Sequence, residues 1–66
     1  MVKVTILPDR EVHDVEAGTV ADVLRRLGLH RDAHLVVRGE EILTTDVRLT
    51  DGDEVEVLRV ISGGHD

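Results

Sequence analysis

The chain has no cysteine and no phenylalanine, tyrosine or tryptophan, and only one proline among its 66 residues. Without cysteine there is neither a disulfide framework nor a thiolate metal site, and no thiol on this chain can act as nucleophile or sulfur donor. Without aromatic rings there is no platform on which single-stranded bases could stack. Basic residues are outnumbered, eight Lys and Arg against 14 Asp and Glu for a formal charge of −6, so the surface lacks the basic patch that phosphate binding needs. Direct nucleic-acid binding is therefore not expected. An acidic surface suits either solubility or a basic groove on a protein partner. No apolar run approaches the roughly 20 residues of a membrane span. The N-terminus enters an alternating strand with no signal-peptide pattern, so a cytoplasmic, monomeric protein is expected.

What is present is an aliphatic, Val-rich composition that suits a sheet. At this length one domain forms, and only about 60% of the unfolded chain's surface can be buried. Val2 to Leu7 alternates, with Val2, Val4 and Ile6 on one face. Pro8-Asp9-Arg10 is a turn, and Glu11 to Glu16 is the returning strand. Val12 and Val15 have opposite parity in it, which predicts a bulge or an irregular end. Thr19 opens a helix of about ten residues, with Asp22 as the acid of a modified capping box. Val20, Val23, Leu24 and Leu27 form its apolar stripe, and Gly28 stops it. His34 to Arg38 and Glu41 to Leu43 are strands joined by a turn at Gly39-Glu40. An irregular stretch, Thr44 to Thr50, and a turn at Asp51-Gly52 lead into the last strand, Asp53 to Ile61.

One helix on one face of a mixed sheet of four to five strands is the stable two-layer solution for this order. The fold class is α+β, a β-grasp (ubiquitin-like) domain over residues 1–61. Residues 62–66 are expected to form a flexible tail containing Gly63-Gly64.

The chemistry-bearing side chains do not assemble into a catalytic set, and nothing in a chain this small suggests a concave pocket. His30 and His34 straddle the helix stop, and His65 and Asp66 lie in the tail, so no metal site is expected. Asp51-Gly52-Asp53 lacks the remaining ligands of a calcium loop. The chain is not expected to be an enzyme.

The last residues carry more. A diglycine without side chains can thread a narrow channel and present a backbone carboxyl to a reactive centre, although a Gly-rich end also fits simple fraying. In the last strand Val55 and Val57 alternate with Glu54 and Glu56, yet Leu58 and Val60 then occupy the polar parity. Either a neighbouring loop covers them or they form a docking patch, with Val36 as a third member.

The run Leu49-Thr50-Asp51-Gly52-Asp53-Glu54-Val55-Glu56-Val57 and the ending Ile61-Ser62-Gly63-Gly64 resemble the ThiS/MoaD family of ubiquitin-like sulfur carriers. Gly18-Thr19-Val20-Ala21-Asp22-Val23-Leu24 resembles that family's helix start. Val37-Arg38-Gly39-Glu40-Glu41-Ile42-Leu43-Thr44 is similar to the TtuB-type branch, which serves tRNA 2-thiouridine synthesis. Small archaeal modifiers and Urm-type proteins are more distantly similar.

The resemblance implies a carrier with no bound cofactor. An E1-like adenylyltransferase would spend ATP on the Gly64 carboxylate, a sulfur donor would convert it to a thiocarboxylate, and a sulfurtransferase or tRNA thiolase would take the sulfur. Gly63 would give access to the channel, Ile61 and Ser62 would line the tail, and Val36, Leu58 and Val60 would dock the partner. Thiamin, molybdopterin and cysteine pathways use the same carrier chemistry, and isopeptide bonds to target-protein lysines are a further implied outcome. His65 and Asp66 depart from the family ending. They imply either a precursor cut between Gly64 and His65, with a JAMM-type zinc protease as the expected enzyme, or a product that is not activated at all. Lys3 is the only lysine among the eight Lys and Arg residues, so lysine-linked self-conjugation could use that position alone.

Overall fold

Alternating valines make the sheet, and the spacing of the helix stripe decides which of its faces is covered. The computed structural model describes residues 1–60; residues 61–66, including the predicted tail, lie outside the described residues. Strands β1 (Val2–Leu7), β2 (Glu11–Val15), β3 (His34–Arg38), β4 (Glu41–Leu43) and β5 (Glu54–Arg59) surround helix α1 (Val20–Leu27). They form one five-stranded sheet in the order β2-β1-β5-β3-β4. β1 and β5 are parallel, while β1–β2, β3–β4 and β3–β5 are antiparallel. This is the predicted β-grasp arrangement, with the last strand at the centre of the sheet.

The core is aliphatic throughout. Val2 and Val4 of β1, Val36 of β3, Leu43 of β4 and Val55 and Val57 of β5 meet Val20, Val23 and Leu24 of the helix, all buried. No polar or charged side chain is buried among the described residues. Each buried valine therefore contributes its transfer free energy, about 1.5 kcal/mol or somewhat more, without a polar desolvation penalty to offset it.

Helix α1 has fewer than three full turns, so its ends matter. The Thr19 hydroxyl accepts from the Asp22 N–H at 3.2 Å, as the capping pattern predicts. The Asp22 carboxylate reaches back one residue further than a capping box requires, accepting the Gly18 N–H at 3.3 Å. The remaining free donors of the first turn are taken by the irregular stretch before β5. Val20 N–H donates to the Val47 carbonyl and Ala21 N–H to that of Thr45, each at 3.0 Å. At the other end Gly28 adopts φ 71°, and the Leu29 N–H closes on the Leu24 carbonyl at 2.8 Å. A side chain at position 28 would be strained by that left-handed backbone.

The 44–47 stretch thus seats the helix, and a short polar contact stiffens it. The Thr44 hydroxyl donates to Asp46 Oδ1 at 2.5 Å. This bond, with a further backbone hydrogen bond, holds the Asp46 carboxyl below its ordinary value. A carboxyl depressed by folding adds stability above its unfolded pKa and loses it as the pH falls through its folded value. The contribution is therefore complete at neutral pH and disappears only on the acid side. In Thr44→Val the Asp46 titration midpoint should move upward, as read by carboxyl-carbon NMR.

The predicted bulge in β2 is absent. Pairing with β1 runs without interruption from Val2↔Val15 to Ile6↔Glu11. The opposite parity of the two valines has a simpler cause. Val15 packs against the core, whereas Val12 points to the other face of the edge strand, where it is 55% exposed.

Candidate functional site

The last described element before the diglycine in sequence is the central strand, whose end we call the exit. β5 is flanked by β1 on one side and β3 on the other. Just past its end the Val60 N–H donates to the Ala33 carbonyl at 2.7 Å, the last described backbone anchor before the diglycine segment. Gly63, Gly64, Ile61, Ser62 and the Gly64–His65 bond themselves lie outside the described residues.

The face of the sheet away from α1 surrounds that exit. Val55 and Val57 point to the helix, so Glu54, Glu56 and Leu58 point away from it. The register places Leu58 between Leu7 of β1 and Leu35 of β3. Three leucines on adjacent strands thus lie side by side, with strand spacings of about 4.8 Å. Leu7 and Leu58 are half-buried and Leu35 is 40% exposed. Val60 follows with the same parity as Leu58 and is 37% exposed. One row further from the exit, Val37 and Ile42 pair on the same face, with Ile42 63% exposed. Leu58 and Val60 thus belong to an apolar surface beside the chain exit.

Val36 does not belong to it. Its side chain is 2% exposed and packs in the core, because Val36 pairs with Val57, whose side chain faces the helix. Leu35 takes the place predicted for Val36. Three consecutive apolar residues in β3 leave the parity ambiguous, and only the pairing of Leu35 with Leu58 decides it. Leu7 and Ile42 were also missed as surface residues, since within their own strands they read as ordinary apolar positions.

Farther from the exit the same face is acidic. Lys3 stands between Asp14 of β2 and Glu54 of β5, and Glu56 lies between Thr5 and Val37. A shallow depression of about 270 Å³ is lined by Lys3, Thr5, Val37, Glu54 and Glu56. The face is thus graded, with carboxylates at the start of β5 and aliphatic groups at its end. Among the described residues, no three His, Asp or Glu side chains are grouped as a metal site would require. His34 instead uses its Nδ1–H to bond the His30 carbonyl at 2.8 Å, tying the start of β3 to the loop after α1. The described helix is not long and apolar enough to cross a membrane.

This arrangement agrees with a comparison across the whole chain. The sequence pattern of the ThiS family matches residues 2–64, from the first strand through the diglycine. The chain belongs to the ThiS family. A curated relative, sulfur carrier protein TtuB of Thermus thermophilus, is 41% identical over 59 residues, covering 88% of this chain and 91% of the relative. This ThiS-family chain is accordingly a TtuB-like sulfur carrier rather than a catalyst, and the diglycine falls within the matched span.

Proposed function

We propose that the chain carries sulfur on the carboxyl of Gly64, for delivery to a tRNA-thiolating enzyme. The observation that carries this reading is the ThiS-family match through residue 64, on a fold whose central strand is the last described element before the diglycine in sequence. As long as His65 follows it, the Gly64 carbonyl is an amide and has no free carboxylate. A protease, of the JAMM zinc class by the family resemblance, first hydrolyses the Gly64–His65 bond. The freed carboxylate attacks the α-phosphorus of ATP in an E1-like enzyme, forming an acyl adenylate as pyrophosphate leaves. Sulfide from a donor then attacks the Gly64 carbonyl carbon. The C–S bond forms as the bond to AMP breaks, leaving a thiocarboxylate. The carrier needs no cofactor of its own, because the partners hold the ATP and the sulfur source. A chain ending at Gly64, incubated with an E1-like partner, ATP and a sulfide donor, should gain the mass difference between sulfur and oxygen. No gain under conditions that load a known carrier would overturn the reading.

The apolar surface at the exit supplies the docking site, with Leu35, Leu58, Val60 and Leu7 in place of the set that included Val36. Interface residues of this kind, central and partly desolvated, can each contribute about 2 kcal/mol. Leu35→Glu should therefore lower kcat/KM for adenylation by about 30-fold. Its amide NMR spectrum should stay folded, because the side chain already meets solvent.

Lys3 supports a narrower statement about conjugation. It is exposed on the acidic half of the outer face, away from the exit row. If the activated carboxyl is also passed to lysines, Lys3→Arg should remove every lysine-linked self-adduct from a mass-spectrometric map.

A further inference from the structure

A second surface lies at the opposite edge of β3, between the helix and the β3–β4 hairpin. Strand β4 opposes β3 only from Val36 to Arg38, so the first part of β3 has an open side. The ladder shows which backbone groups face it. The Val60 N–H bonds the Ala33 carbonyl, and alternation in an antiparallel pair then turns Ala33, Leu35 and Val37 toward β5. His34 and Val36 turn the other way. Val36 meets Leu43, whereas the His34 N–H and C=O have no backbone partner among the described residues.

Beside that open pair is a groove of about 310 Å³. Val20 and Leu24 of α1 form one wall, and Val36 and Leu43 form the floor. Leu35 and Ile42, both exposed aliphatics, stand at its rim with Arg31 and His34. No acidic residue lines this groove, although the chain carries 14 of them. The depression on the outer face and the groove at the end of β1 both contain carboxylates. This acid-free apolar groove therefore adjoins unpaired strand backbone and a guanidinium.

We propose that this groove binds a short extended segment of a protein partner, in which apolar residues alternate with Asp or Glu. The segment adds to the open edge of β3 and exchanges two hydrogen bonds with the His34 backbone. It places an aliphatic side chain between the helix and Val36, and sets a carboxylate against Arg31. Main-chain pairing supplies affinity, while the groove and Arg31 supply selectivity. The site is separate from Gly64 and does not depend on the chemistry of the tail.

A random-peptide display library selected on the full chain tests the proposal. Enriched peptides should carry aliphatic residues flanked by acids. Titrated into the labelled protein, they should shift the amides of His34, Leu35, Thr44 and Thr45 and slow exchange of the His34 N–H. Arg31→Glu should weaken binding about tenfold. Arg48→Glu, an equal change of net charge at an exposed position outside the groove, should leave binding unchanged. Absence of enrichment, shifts centred on Thr5 and Glu56, or equal losses from the two arginine variants would each overturn the assignment. None of these results bears on sulfur loading, which the thiocarboxylate mass assay reads separately.

Discussion

A chain cut after Gly64 should be adenylated by its E1-like partner, while the same chain with His65 and Asp66 attached should give no detectable adenylate. The expected contrast is all or none, because the Gly64 carbonyl of the extended chain is an amide and its terminal carboxylate, on Asp66, stands two residues past the position the partner must reach. Adenylation makes the carbonyl reactive by giving it AMP as leaving group; an internal peptide bond has no carboxylate with which to begin. Pyrophosphate release, measured for the two chains side by side, is the direct readout. A third chain lacking Gly64 but ending in Gly63 separates chemistry from reach. It has a free carboxylate of the same type, one residue closer to the anchor at Val60, so its rate reports how strictly the partner measures the distance from the domain. Equal pyrophosphate release from the processed and extended chains would show that residues 65 and 66 do not block the reaction. The precursor step would then fall.

The second large effect concerns the fold and separates two adjacent residues. Val36→Asp should unfold the domain at neutral pH, whereas Leu35→Asp should leave it folded. Val36 is 2% exposed within a core that contains no polar side chain to receive a carboxylate. Burying that charge unpaired costs several kcal/mol, and the aliphatic packing is lost as well. A core of this size supplies only about 3–5 kcal/mol in all, so the substitution exceeds the available stability. At Leu35, already 40% exposed, the carboxylate can remain in water. Far-UV circular dichroism and amide NMR dispersion would distinguish the two variants. A folded Val36→Asp would mean that β3 can shift its register by one residue, exchanging the two faces. Val57, which pairs with Val36 and is fully buried, provides a graded check. Val57→Ala removes two methyl groups and should cost about 2 kcal/mol, with a corresponding fall in the urea midpoint.

Much of this was legible in the chain itself because the signals were local. Alternation in Val2–Leu7 and at Val55–Val57 requires only that side chains point to opposite faces of a strand. Thr19, the stripe from Val20 to Leu27, and Gly28 bounded the helix within a residue or two, since caps and periodicity act over a single turn. Leu58 and Val60 stood out as aliphatics in a polar parity, and that irregularity marked the surface beside the exit.

Other features depended on partners distant in sequence. The two faces of β3 could not be assigned from Leu35-Val36-Val37, where every residue is apolar; pairing with β5 made Val36 core and Leu35 surface. Val12 and Val15 suggested a bulge only while β2 was expected to bury one face. As an edge strand it keeps perfect register and shows a valine to each side. The groove above Val36 and Leu43 exists because β4 stops short of His34, a mismatch between two strands that neither reveals alone. Composition and periodicity determined the β-grasp order, and the resemblance of the Ile61-Ser62-Gly63-Gly64 ending to sulfur carriers led to the proposal of Gly64, since those signals are written in neighbouring residues. Tertiary structure decided which aliphatic residues meet water and which backbone groups remain open, because exposure depends on the register between strands far apart in the chain.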